Sequence, residues 1–314
     1  MTANAYARRG RSRRMGWAAH MRRYYWLYLF LIPGMVFLLL FKYLPIYGLQ
    51  IAFKDYSIVR GIEASPWVGL KHFRDLFRSI NFTRVLKNSI LTSIFRLLWG
   101  FPMPILLALM MNEMCAQGYK RVMQSILYLP HFISWVVVIS MLTGLLSQST
   151  GVVNMVRKAM GMETIPFMNS KRWFRTVLIG AGVWKECGWG TVVYMAALSG
   201  IDPALYEAAT IDGANRVQKI THITLPCIMG TVTVMLVMNM GNILSNGFEQ
   251  IWLLQNALNK EVAEVLETYS YQVGLKEGRY SFATAVGMFQ SLVGLIMIFG
   301  SNALSKRMGG GGLW

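Results

Sequence analysis

Residues 206–226 read YEAATIDGANRVQKITHITLP, a polar stretch set between two long apolar segments. Its physical reading begins a few residues earlier. Asp202-Pro203 is a helix start, because the carboxylate caps free amides and proline suits the first helical position. Leu205, Ala208, Ala209 and Asp212 follow at helical spacing, and Gly213 permits the tight turn that ends the helix. A second short helix is expected over residues 214–222, with Pro226 marking the start of the next apolar segment. The pattern predicts a helix-turn-helix over residues 202–226, lying at a membrane surface. Helices this short are marginal alone and need a groove in a partner. An ordinary interhelical loop with an acidic start would share the same composition.

Composition says which surface is meant. Of 314 residues 54% are hydrophobic and only 14% are charged, with mean hydropathy +0.41. Such a chain is a polytopic membrane protein, not a pair of soluble domains. A net charge of +17 would suggest nucleic acid in a soluble protein. Here many Lys and Arg flank apolar runs, where they anchor segments and bias topology, so no nucleic-acid partner is expected and membrane lipid is. Cys115, Cys187 and Cys227 are widely spaced, form no CxxC pair and read as small apolar fillers.

In chain order, residues 1–23 form a basic segment carrying Arg8, Arg9, Arg11, Arg13, Arg14, Arg22 and Arg23. The following apolar run, residues 24–44, is too long for a signal-peptide core and reads as a first span kinked at Pro33 and Pro45. Residues 54–82 read as an external loop with short interfacial helices. Further spans are expected over residues 85–111, bent by Pro102 and Pro104, and over 122–146, 176–198, 228–254 and 282–304. Residues 147–175 form a second external loop, and residues 308–314 a glycine-rich tail. Arg96 falls inside the second span, where it must face protein or water. Six spans put both ends on one side; basic residues tie in number between the two sides, but they are denser on the proposed inside, which favours cytoplasmic termini.

The spacing Glu207-Ala208-Ala209, three residues, Gly213, nine residues, then Ile223-Thr224-Leu225-Pro226 resembles the EAA signature of binding-protein-dependent ABC importers. Residues 32–56, 182–209 and 251–295 look like the LplB-type branch of carbohydrate permeases, related to the maltose permease subunits. The resemblance covers residues 24–307 and implies an all-α ABC type I importer permease fold in a bacterial inner membrane. It further implies that the loop inserts into a cleft of a cytoplasmic ATPase. Glu207 would meet basic groups there, Ala208 and Ala209 would allow close packing, Gly213 would make the turn, and Asp212, Ile223, Leu225 and Pro226 complete the motif. The implied partners are a homologous second permease, an ATPase dimer that uses ATP and Mg, an extracytoplasmic solute-binding protein and an oligosaccharide. No cofactor is expected on this chain, and it is not an enzyme.

A passage for the sugar is sought in polar groups within spans. Asn239, Asn242, Asn246 and Glu249 or Gln250 recur at steps of three and four, which would place them on one helical face. Such a face lines water or pairs helices with equal ease. Trp184, Lys185 and Trp189 combine aromatic faces and an intramembrane charge, as sugar binding requires, while an interfacial aromatic belt is the bland alternative. Arg157, Lys158, Lys171, Arg172 and Arg175 in the external segments suit an acidic sugar such as an alginate or pectin fragment, or an acidic face of the delivering protein. Lipid headgroups would use the same charges. The chain has no GxxxxGK[ST], HExxH or GxSxG, and its four histidines are scattered, which argues against a membrane enzyme. No inverted repeat supports a secondary transporter.

Overall fold

The structure is a computed structural model that describes residues 17–114 and 116–307. Arg8 to Arg14, Cys115 and the tail 308–314 therefore lie outside the described residues. Two compact units divide the chain, Met1–Ile51 and Ala52–Trp314.

In the first unit a short helix, Trp17–Arg23, precedes the span α1 (Tyr25–Phe53). Pro33 sits inside the α-helical part, while at Pro45 the ladder is re-spaced. A π turn over Leu39–Tyr43 gives way to 3-10 winding over Leu44–Phe53, because proline cannot donate to the α-helical bond. Its apolar side chains are exposed all round, as expected of a helix whose neighbours are lipid or another chain.

The second unit begins with the bridge Lys54–Trp67 and helix α2 (Lys71–Arg78). Lys54 is buried, donating to Ile62 O at 2.7 Å and lying over the Trp67 ring, while its own carbonyl accepts from Ser281 Oγ at 2.7 Å. The external segment is thus folded onto the far end of the chain. Then come α3 (Ile80–Asn112), interrupted at Phe101 by the Pro102 and Pro104 pair, α4 (Gln117–Phe132) and α5 (Trp135–Leu146). The third span is not continuous as expected: α4 and α5 meet at 98°. Leu129-Pro130 tightens the chain into a 3-10 turn, and Ser134 starts a new helix by accepting from the Val137 N–H.

The loop after α5 holds a helix, Val152–Ala159, and its last residues already belong to α6 (Lys171–Ser199). After α7 (Pro203–Ile211), helix α8 (Arg216–Gly241) runs unbroken through the segment expected to be a separate short helix. A π turn at Ile220–Thr224 absorbs the bond that Pro226 cannot make, so proline sits within the rod instead of opening it. The fifth span also ends early. At Gly241 α8 stops, residues 242–247 turn with Gly247 at φ +73°, and α9 (Phe248–Leu254) departs separately. The chain closes with α10 (Leu266–Tyr271) and α11 (Tyr280–Arg307).

Among the described residues four helices, α1, α3, α8 and α11, are long and apolar enough to cross a membrane, and five if the bent α4–α5 pair is one span. Helix α6 has 29 residues, roughly 43 Å at 1.5 Å per residue, and carries Lys185-Glu186 within it. That set is consistent with about six spans.

Three apolar clusters hold the second unit. One joins Phe82 and Val85 to Leu244, Leu266 and Phe282; a second joins Phe174 and Leu178 to Ile251 and Leu254; a third joins Ala108 and Leu109 to Tyr194, Leu198 and Ile228. Polar residues separate the third cluster from the first along α3 and from the second along α6. Close backbone approaches fix the crossings. A Cβ on Gly188 would stand 1.9 Å from Leu127 O, and one on Gly294 would stand 2.5 Å from Gly241 O. Gly188→Ala is expected to lower the melting temperature of the detergent-solubilised protein, at a cost of about 2 kcal/mol or more from overpacking. Gly180→Ala, where an added Cβ meets nothing within 4 Å, should leave it unchanged.

Candidate functional site

Two polar features stand out in the second unit. In the first, the Asp202 carboxylate accepts from the Ala204 N–H at 2.9 Å and Pro203 opens α7. The helix ends in a Schellman turn: the Ala214 N–H reaches Ala209 O at 2.9 Å and the Gly213 N–H reaches Thr210 O at 3.1 Å. Gly213 has φ +76°, which a side chain would strain. Asn215 and Gln218 form a capping box that starts α8. Two contacts tie the arms together, Lys219 Nζ to Thr210 Oγ1 at 2.8 Å and Tyr206 Oη with Thr224 Oγ1 at 3.0 Å. The outer surface of this turn presents Glu207, Ala208, Asp212 and Gly213, all exposed, beside Ile211 at 87% and Val217 at 68% exposure. Ile223 and Leu225 are half-buried at the base, and Pro226 is exposed. The turn thus leaves an acidic group and two large apolar side chains uncovered on a hydrogen-bonded frame.

The second feature is a cavity of about 360 Å³ between α3, α6 and α8. It is lined by Ser93, Arg96, Glu186, Cys187, Tyr194, Asn239 and Asn242 together with apolar groups. The asparagines bond back along their own helix, Asn239 Nδ2 to Met235 O at 2.8 Å and Asn242 Nδ2 to Met238 O at 3.3 Å. Their side-chain oxygens are left open to a guest. Arg96 Nη2 donates to Gln250 Oε1, and Gln250 Nε2 donates to Leu178 O at 2.7 Å. Glu186 is held by His131 Nδ1 at 2.7 Å and Lys185 Nζ at 3.3 Å. A cavity of this size with convergent amides, a hydroxyl and two charges can bind a hydroxyl-rich small molecule by hydrogen bonds.

Residues 100–310 match the family described as binding-protein-dependent transport system inner membrane component. The chain belongs to that family. Protein LplB of Bacillus subtilis (strain 168) is 44% identical over 300 residues, covering 96% of this chain and 94% of LplB. The polygalacturonan/rhamnogalacturonan transport system permease protein YteP of the same organism is 45% identical, over 92% of this chain and 90% of its own. Among solved structures, one of a bacterial ABC transporter involved in the import of the acidic polysaccharide alginate superposes with a TM-score of 0.84 at 45% identity, covering 92% of this chain and 97% of that one. Another, of a bacterial alginate ABC transporter in complex with an alginate pentasaccharide-bound periplasmic protein, gives 0.85 at 44% identity, covering 94% of this chain and 98% of that one. The permease is an inner-membrane component that works with a binding protein, and ATP hydrolysis belongs to a separate subunit.

Within the permease the sequence-derived path residues separate. Asn239 and Asn242 line the cavity. Asn246 does not share their helical face, because α8 has ended; it is fully buried in the turn, bonded to Ser89 O and Ser93. Glu249 lies exposed on α9 and does not line the cavity. Trp184 and Trp189 are half-exposed on other faces of α6, Trp189 stacked on His131 with ring centroids 4.7 Å apart. Lys185 is buried, donating to His131 O at 2.6 Å beneath the Trp135 ring. It fastens the break between α4 and α5 to α6. Cys187 is half-buried at the cavity wall, not packed as a core filler, and Cys227 is exposed.

Three of the five basic residues expected in external segments are engaged within the protein. Lys171 pairs with Glu261, and this hydrogen bond and charge hold the Glu261 carboxyl below its usual range. Arg175 Nη2 donates to Asn88 Oδ1 at 2.9 Å, and Arg157 Nε to Glu163 O at 3.0 Å. Sequence reading placed Arg96 within a span without assigning it to the path, and passed over Tyr194; an arginine in an apolar run was the available signal. Lys185→Met should cost roughly 1–3 kcal/mol of stability, the scale of a lost hydrogen bond from a charged group. Thermal unfolding in detergent reads this loss.

Proposed function

We propose that the chain forms half of the translocation path of an ATP-driven oligosaccharide importer, beside a homologous second permease. The observation that carries this reading is the exposed, internally braced turn at residues 202–226, continuous through α8 with the cavity residues Asn239 and Asn242. Glu207, Ala208, Ala209, Asp212 and Gly213 form the contact surface for an ATPase dimer, with Ile223, Leu225 and Pro226 anchoring it. ATP and Mg are used by that dimer, and an extracytoplasmic binding protein delivers the sugar. Both termini are cytoplasmic. Asn239 and Asn242, with Tyr194, meet the sugar hydroxyls.

An acidic oligosaccharide is the favoured cargo. YteP is named for polygalacturonan and rhamnogalacturonan, and the solved transporters for alginate, all at 44–45% identity. The permeases named for arabinooligosaccharides and galactooligosaccharides, which favour a neutral cargo, are 27% identical.

The test is uptake and sugar-stimulated ATP hydrolysis in proteoliposomes holding the assembled importer and its loaded binding protein. Glu207→Ala, an exposed substitution, should leave thermal stability unchanged and reduce stimulated hydrolysis about tenfold, as loss of a charged contact to a partner does. Gly213→Pro, which cannot adopt φ +76°, should abolish it. Uptake that persists without any ATPase, or two variants that couple like wild type, would sink this reading.

A further inference from the structure

The cavity holds one charge that forms no ion pair among the described residues; the carboxylates of Glu267 and Glu186 act on it only from beyond contact distance. Glu186 is committed to Lys185 and His131, whereas no salt bridge to Arg96 forms among the described residues. A guanidinium with no carboxylate in contact is costly in a membrane-spanning helix, and it persists where it faces water or a ligand. Arg96 is also held in place. Its Nη2 is fixed by Gln250, which is fully buried and fixed in turn by Leu178 O. Its Nε is buried without a hydrogen-bond partner, so what remains for a guest is the Nη1–Nη2 edge. Gly247 leaves room beside it: a Cβ there would stand 3.4 Å from Nη2 and 3.5 Å from Nη1. The result is an oriented donor fork with unused hydrogens, on the wall of a cavity that offers amide and hydroxyl groups on its other sides.

That fork matches one class of partner. A guanidinium presents parallel N–H groups at the spacing of carboxylate oxygens, and such charge-assisted pairs strengthen away from bulk water. A neutral sugar offers no group that would balance the charge. Building on the oligosaccharide-importer reading above, we propose that Arg96 recognises a carboxylate of the passing sugar, so that the permease itself selects uronate-bearing chains. Selection then occurs twice, once in the delivering protein and again in the membrane. Arg157, Lys171 and Arg175, engaged within the protein, are relieved of that task.

Cys187 lies on the same cavity wall and serves as the reporter. In the assembled importer with Cys115→Ser and Cys227→Ser, maleimide labelling of Cys187 is followed without binding protein. The probes are a tetragalacturonate, an alginate tetrasaccharide and the carboxyl-reduced counterpart of each. At least one acidic probe should protect the thiol at a concentration about tenfold lower than its reduced counterpart, the scale of one charge-assisted hydrogen bond. Arg96→Gln, which can still bond Gln250, should erase that difference, and Arg96→Lys should restore part of it. Equal protection by acidic and reduced sugars in the wild type, or an acid preference that survives Arg96→Gln, overturns the proposal. Should Arg96→Gln fail to assemble, the wild-type comparison alone decides. A wild-type importer that moves no oligosaccharide at all would overturn the function proposed above, a result separate from the loss of acid preference.

Discussion

A helix can stop inside a membrane only where other groups take over its freed backbone bonds, and in this permease that duty falls on Asn246 and its neighbours. Asn246 is fully buried, with Nδ2 reaching Ser89 O and Leu244 O. Ser93 Oγ serves both Asn246 Oδ1 and Ile243 O. The Asn246 N–H is taken by Glu267 and the Leu244 carbonyl by Gln290 at 2.9 Å. Four elements, α3, the turn that follows α8, α10 and α11, therefore meet at one polar knot. Without it α8 would have to continue, and the space beside Asn239, Asn242 and Arg96 would be filled by its next turns. The cavity is a consequence of the interruption.

What the sequence revealed, and what it concealed, follows from how local each signal is. The turn at residues 202–226 was legible because every part of it is local chemistry: a carboxylate cap, a proline at the first position and a glycine that must adopt positive φ. The fifth span misled because the repeat from Asn239 through Glu249 satisfies helical periodicity even though the backbone does not. Asn246-Gly247 is itself a turn signal, and it should have outweighed the spacing. The same holds for Leu129-Pro130 and Ser134, which divide the third span into two helices nearly at right angles. Periodicity assumes that the ladder continues, so it cannot report where the ladder ends.

Lys185 and Arg96 show why charge within a span does not by itself name a function. Both lie in apolar helices. Lys185 has found a carbonyl, a carboxylate and an aromatic face, and has become a fastening. Arg96 has found a single amide. The difference rests on contacts more than fifty residues away in sequence, from His131 on one side and Gln250 on the other. No window of local sequence contains it. Glu186 belongs to the same arrangement, since its contacts are with Lys185 and His131 and not with Arg96.

Helix α8 joins the docking turn to the cavity as a single rod of 26 residues, about 39 Å long at 1.5 Å per residue. Its π turn lies next to the foot, at Ile220–Thr224. Asn239 stands near the other end and Asn242 caps it, so the turn and the cavity wall are two ends of one hydrogen-bonded ladder. A tilt of such a rod at its foot is a sideways displacement of the amides at its tip, with no relay of side chains between.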